Sequence, residues 1–405
     1  MLLLTRMFGV TCSDAERELG REAECIETIV ERILLLQAST AAQQHRPFCR
    51  RTHVKGTSAR AQFEVYDAKG QHGPRLAARL SRGIFATPGI YPAKVRFANA
   101  AAQVNSDFKP DVRSLSFLVD FAGNDPTLPS ASARRQIFSL QNATTLPIND
   151  APALLAMINF LSASTVTNGL WSLPLKDKLR VLRTFVMMQL QAHQPINPYQ
   201  QLLYGSNVPF HHGTDVVKYL ARPLRTNQAH ALQRGNPNAL QDELLRHLNE
   251  DSTMSSFEFG LQFLDADQMT YWGRPQPASF WTENASVEWK LSGAQFHVVA
   301  RLTLLPRSQL PQGGDETIYF DATGNALPEG VPLGSINRAR RQVAITCGQA
   351  RPERLDQASS GAHTGPRGRC SQFHRGDSAR IVVPSNGAHS MSEVETLGQS
   401  GLPAE

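Results

Sequence analysis

At 405 residues the chain is long enough to bury a substantial core, in one large domain or in two or three smaller ones. A hydrophobic fraction of 41% and a charged fraction of 19% are those of a globular protein. The net charge of +6 is spread over scattered Lys and Arg rather than one basic helix or stripe, which argues against nucleic-acid binding, and no apolar run is long enough to span a bilayer.

In chain order, Met1-Leu2-Leu3-Leu4-Thr5-Arg6 is too short an apolar run for a signal-peptide core. The five cysteines, Cys12, Cys25, Cys49, Cys347 and Cys370, form no C-x-x-C pair and indicate neither a zinc knuckle nor a disulfide framework. Dispersed thiols fit a reducing compartment, and the cytoplasm is the default expectation. Ser13 and Glu16 have capping-box spacing, which predicts a helix from about Ser13. Ile26, Ile29, Val30, Ile33 and Leu34 then follow the helical repeat, a stripe to pack on the body of the protein or on a second subunit, so that a homo-oligomer stays open. Cys25 lies within this helix and is read as ordinary packing.

From Ala59 to about Phe121 the pattern is strand-like. Ala61 to Tyr66 alternates, Lys94 and Arg96 alternate with Val95 and Phe97, and Leu115 to Val119 reads as a buried strand. Asn149 and Asp150 can cap a helix running through Leu154, Leu155, Ile158 and Leu161. A second helix carries Leu175, Leu179, Leu182, Val186 and Leu190 at three- and four-residue spacing. The Pro-, Asn- and Gln-rich stretch from His193 to Leu245 reads as long irregular connections with a short helix near its end. Within it, His211-His212 reads as a solvated loop, because adjacent strand residues point opposite ways and no carboxylate has ligand spacing.

Strand patterns return at Ser256 to Leu261, Ser286 to Trp289 and Phe296 to Leu304. The expected fold class is therefore α+β: an antiparallel β-barrel closed by distant parts of the chain, with helical insertions and an N-terminal helix. The expected organisation is an N-terminal helical arm over 1–44, a barrel domain over 45–347 with a helical insertion at about 149–250, and a tail over 348–405. That tail is dominated by Ser, Gly, Arg and Pro, has almost no apolar periodicity and reads as disordered.

Three segments come together if these strands form one barrel. They are Arg50-Arg51-Thr52-His53-Val54-Lys55-Gly56, Val95-Arg96-Phe97-Ala98-Asn99 and Ser139-Leu140-Gln141-Asn142-Ala143-Thr144. With Asp111-Val112-Arg113-Ser114 between the second and third, their order and spacing over roughly residues 45 to 160 resemble the heme catalase family. The likeness is to its short members that lack an extra C-terminal domain. A weaker resemblance covers about 255 to 344, where Pro332 to Arg341 looks like the closing segment of the short catalase-like proteins.

The resemblance implies heme b as cofactor and a small-molecule peroxide as substrate, with or without an organic electron donor. It implies His53 as the distal acid and base, which takes a proton from the near peroxide oxygen and returns it to the departing one. By the same resemblance Asn142 holds the peroxide, and Arg50, Arg96, Arg113 and Arg340 serve the cofactor, guanidinium forks suiting propionate carboxylates.

The chain departs from the family at the proximal side. The family's Arg-x-x-x-Tyr falls on Arg340-Arg341-Gln342-Val343-Ala344, so Ala344 stands where an iron-binding tyrosinate is expected and no protein ligand to the iron is identified. Cys347 lies three residues further on, awkwardly placed for a simple exchange. The serine and glycine of the family motifs are here Ala98 and Ser114, and the aromatic wall after the Asn is replaced by Leu146-Pro147-Ile148. The break at Ala344 just precedes the change of composition, as a shifted reading frame would produce. The expected activity is a heme-dependent, peroxide-consuming oxidoreductase of catalase or peroxidase type. The alternatives are a catalase-like pseudoenzyme with impaired heme binding, and a heme enzyme of organic or lipid hydroperoxides.

Overall fold

Apolar residues at every second position give each long strand one face that must leave water, and closing the sheet on itself buries all of those faces at once. The computed structural model describes residues 15–43, 53–69, 71–101, 103–123, 134–161, 166–251, 254–310, 323 and 326–349. Helix α1 (Glu22–Gln43) precedes β1 (Gly56–Val65), α2 (Pro74–Leu80), β2 (Gly89–Asn99), β3 (Arg113–Asp120) and β4 (Arg135–Gln141). Helices α3 (Ala151–Leu161), α4 (Val166–Ser172) and α5 (Leu175–Ala192) follow. The chain returns to the sheet through β5 (Tyr204–Gly205), β6 (Phe210–His212) and β7 (Asp215–Pro223), then α6 (Ala239–Glu250) and β8 (Ser256–Phe263). A ribbon of β9 (Thr270–Tyr271) and β10 (Arg274–Pro275), helix α7 (Ala278–Glu283), the long strand β11 (Phe296–Gln309) and helix α8 (Ser335–Gln349) complete the described elements.

The strand order is β5-β4-β3-β2-β1-β11-β8-β7, antiparallel throughout, and β5 pairs again with β7 through Tyr204–Ala221 and Gly205–Leu220. Eight strands thus close into an antiparallel barrel, and β6 takes the rest of the free edge of β7. A barrel of this size is just wide enough to be filled by side chains. Phe63, Phe117, Phe138, Tyr219 and Phe259 fill it, with Phe117 stacked on Phe138 at 4.7 Å and Phe63 edge-on to Phe259 at 5.3 Å. The interior is a packed core, so chemistry has to sit at a rim or on the outer wall.

The helices pack outside. Ile26, Ile29, Val30 and Ile33 of α1 bury their stripe against Ala151 and Ile158 of α3 and Ala339 of α8. As the sequence predicts, Asp150 caps α3, its Oδ1 accepting from the Ala153 amide at 2.8 Å.

Four local expectations are corrected. Helix α1 begins at Glu22, not near Ser13, which lies outside the described residues; Glu16 accepts instead from Arg338. The stretch from His193 to Leu245 contains β5, β6 and β7. His211 and His212 lie on β6, and His212 is fully buried with Nε2 at 2.8 Å from the Arg79 carbonyl oxygen. Ser286 to Trp289 forms no strand but covers the outside of β7 and β8, its carbonyls at Val287 and Trp289 accepting from Lys218 and Gln262.

Candidate functional site at the barrel rim

Because neighbours run antiparallel, β1 begins, β2 ends, β3 begins and β4 ends at the same rim of the barrel. That geometry gathers His53, Arg113 and Asn142. The His53 amide donates to the Ala100 carbonyl at 3.2 Å, and the Ala100 amide donates to Val112 at 2.9 Å. One strand further, the Asn142 amide donates to the Arg113 carbonyl at 2.9 Å, and the Arg113 amide donates to Asn142 Oδ1 at 2.8 Å. Asn142 Oδ1 is therefore committed to the rim, and its Nδ2 is the side that can address a ligand.

His53 is half-buried and has φ 59°, the left-handed region that a non-glycine residue enters only at a cost. Arg96 sits on the outer wall, since Val95 and Phe97 on either side point into the core, yet it is only 4% exposed. Its Nη2 donates to the His53 carbonyl at 2.9 Å. Gly56 makes that reach possible: a Cβ there would lie 2.8 Å from Arg96 Nη2 and 2.4 Å from the Phe97 carbonyl oxygen.

Behind the rim lies a buried polar hub that sequence reasoning missed. Asp107 Oδ1 accepts from Lys55 Nζ and from Asn99 Nδ2, each at 2.7 Å, and its Oδ2 accepts from the Leu240 amide at the start of α6 at 2.9 Å. Tyr199 donates its hydroxyl to Asn99 Oδ1 at 2.8 Å, and burial raises that phenol above its ordinary range. Arg113 Nη2 donates to the Asp107 carbonyl at 2.6 Å, while its Nη1 is buried with no hydrogen bond, 3.7 Å from Asp111 Oδ2. Burial pushes the Asp111 carboxyl up, against the Ala101 and Val112 amides and the Arg113 charge that favour its ionised form. An open groove of about 810 Å³, lined in part by Ser106, Asn197, His230 and Arg234, opens beside this hub; among the described residues His53, Arg96, Arg113, Asn142 and Arg340 do not line it.

Arg340 and Ala344 lie on α8, away from the strand rim in sequence. The Ser335 hydroxyl at the start of α8 accepts from the Ala151 amide at 3.0 Å, which docks α8 beside the beginning of α3. Arg340 and Ala344 are half-buried, and Arg340 Nη1 lies 3.5 Å from Asn337 Oδ1. Two positions earlier, Arg338 meets the carboxylates of Glu16 at 2.8 Å, Glu22 at 3.0 Å and Glu283 at 2.7 Å. This second hub ties the segment before α1, α1 itself and the end of α7 to α8. Only the basic run around it hinted at its presence. Arg50 and the side chain of Cys347 lie outside the described residues.

The eight-stranded barrel with its outer helices is a catalase-like fold. A fungal catalase superposes with a TM-score of 0.55 at 13% identity, over 80% of this chain and 63% of that one. Catalase A from Saccharomyces cerevisiae gives 0.55 at 14% identity, over 79% of this chain and 64% of that one. A bacterial catalase gives 0.52 at 15% identity, over 91% of this chain and 70% of that one. At these identities the likeness is one of fold, and the chain spans less than two thirds of the length of the first two. No family model and no curated protein matches the chain.

Proposed function

We propose that this chain handles peroxide on a catalase-like scaffold, with His53 moving the proton. The observation that supports the reading is that His53 just before β1, Arg113 at the start of β3 and Asn142 just after β4 lie at one barrel rim, with Arg96 of β2 reaching the His53 carbonyl. An imidazole there can take a proton from one peroxide oxygen and return it to the other at neutral pH, while Asn142 Nδ2 donates a hydrogen bond to the bound peroxide.

The cofactor implied by this reading is heme b, which would supply the redox chemistry. The rim fits it in part. Arg113 Nη1 is a buried cationic donor with no hydrogen bond, the kind of group that a propionate carboxylate would satisfy. Arg96 and Arg340, with Arg50 beyond the described residues, are the remaining candidates for the carboxylates. Helix α8 does not fit. A methyl group at Ala344 cannot bind iron, and α8 carries neither Tyr nor His. That observation favours a second reading, a catalase-like scaffold that binds heme weakly or not at all.

The two readings separate on a spectrum of the full chain expressed with added heme. A Soret band that survives gel filtration, together with peroxide consumption that His53→Ala abolishes while the band remains, supports the first reading. No band at excess heme rejects it in favour of the second. Retained consumption in His53→Ala rejects the assignment of the proton to His53. Translating the DNA after Arg341 in the other two frames tests separately whether a Tyr belongs at position 344.

A further inference from the structure

Helix α5 turns its apolar stripe away from the protein. Leu175, Leu179, Leu182, Val186 and Leu190 share one side of a 3.6-residue helix by their spacing. In most globular proteins that side would be the buried one. Here Val181, Thr184 and Gln191 face the body, and all five stripe residues are exposed, Leu175 by 73% and Leu190 by 66%. Single exposed leucines need no explanation, but a continuous stripe does.

The apolar surface extends onto α4. Trp171 is 79% exposed and lies against the first turn of α5, with Lys178 Nζ 5.1 Å from its ring centre. Basic residues flank the stripe: α5 carries Lys176, Lys178, Arg180 and Arg183 against the single acid Asp177, which Arg180 already binds at 2.8 Å. Arg183 turns to Asn149 and Ser286 of the body, so Lys176 and Lys178 are the flanking cations.

We propose that α4 and α5 form a peripheral membrane-docking surface, laying Trp171 and the α5 stripe into the headgroup region of an anionic phospholipid bilayer. No helix among the described residues is long and apolar enough to cross a membrane, so this surface lies on the bilayer. Basic flanks answer a negative lipid surface, and an indole beside an apolar stripe suits the boundary between water and acyl chains. A second copy of the chain answers the stripe less well. Two-fold pairing of α5 would set the same cations against each other, with no free acid on the helix to neutralise them.

The test uses the full-length protein and vesicles of phosphatidylcholine, alone or mixed with phosphatidylglycerol. Sedimentation with the mixed vesicles is expected, weakening as salt rises, with quenching by brominated acyl chains that Trp171→Phe removes. Leu182→Glu with Val186→Glu, at exposed positions that leave the circular dichroism unchanged, is expected to lower the partition coefficient by about tenfold or more. Absence of binding to both vesicles, or unchanged binding of the double variant, overturns the proposal. A wild-type dimer that the double variant dissociates would make this face a contact between copies and overturn it as well, as would binding of an acidic amphipathic peptide without binding of vesicles.

Discussion

The guanidinium of Arg96 reaches the main-chain carbonyl of His53 at 2.9 Å, so a strand cation joins the His53 amide's bond to Ala100 in holding the rim histidine in its left-handed conformation. The reach depends on the bare α-carbon of Gly56. Gly56→Ala therefore forces β1 from β2 or displaces Arg96, and a loss of about 2 kcal/mol is expected in urea unfolding. Arg96→Met removes the hydrogen bond without the steric push and is expected to cost less. An unchanged midpoint in Gly56→Ala would show that the rim yields freely and that Gly56 has no such role.

Asp107 and Lys55 form a buried ion pair whose remaining oxygen positions serve Asn99 and the first turn of α6. Removing one charge leaves the other buried and uncompensated, so Asp107→Leu is expected to destabilise by about 3–5 kcal/mol. The double variant Lys55→Met with Asp107→Leu should recover part of that loss, because both charges then leave together. Thermal unfolding of the two single variants and the double variant closes the cycle. Equal loss in the single and double variants would assign the effect to packing rather than charge.

The long strands were legible because their apolar residues alternate and both faces are held to one period, as in β1 and β2, where Ala61 and Phe63 on one strand and Ala93 and Val95 on the next all point inward. The closure was not. Strand β5 has two residues and therefore no period, and in β7 the buried Lys218 breaks what would otherwise read as an apolar strand. Val287 and Trp289 alternate like strand residues because they pack on the outside of the barrel, where one buried face produces the same pattern without hydrogen-bonded pairing. For the rim, the order of His53, Arg96, Arg113 and Asn142 was readable. Asp107 was not, because its partners come from the residue before β1, from β2 and from α6, and share no local motif.

Lys218 points out from β7 beneath Trp289, with Nζ 3.2 Å from the Val287 carbonyl oxygen and 5.0 Å from the indole centre. Burial lowers its pKa to about 7, against the weak opposing pull of Glu288. Between that value and the ordinary lysine range the unfolded chain holds the proton and the folded one does not, so folding stability rises with pH. Below pH 7 both states are protonated and the penalty of the buried charge is fully present. Lys218→Met is therefore expected to raise the unfolding temperature most at pH 6 and progressively less toward pH 10. The limit is about 5 kcal/mol before the carbonyl and indole contacts that favour the charge are credited. A gain that does not vary with pH would assign it to packing alone.

Ala344 follows Arg340 by four residues, so a side chain at 344 shares a helix face with that guanidinium. A phenol placed there would have a cation one turn away to favour its ionised form, the condition under which tyrosine binds ferric iron. Ala344→Tyr, titrated with heme, is expected to give a stronger Soret band than the native chain and an apparent affinity higher by about tenfold or more. Ala344→Phe supplies the same ring without the oxygen and should give no such gain. Adding Arg340→Met to Ala344→Tyr should move the appearance of the band to higher pH, since the phenol then loses the cation one turn away. Equal gains from Phe and Tyr would mean that bulk alone traps the heme and that the oxygen at 344 binds no iron.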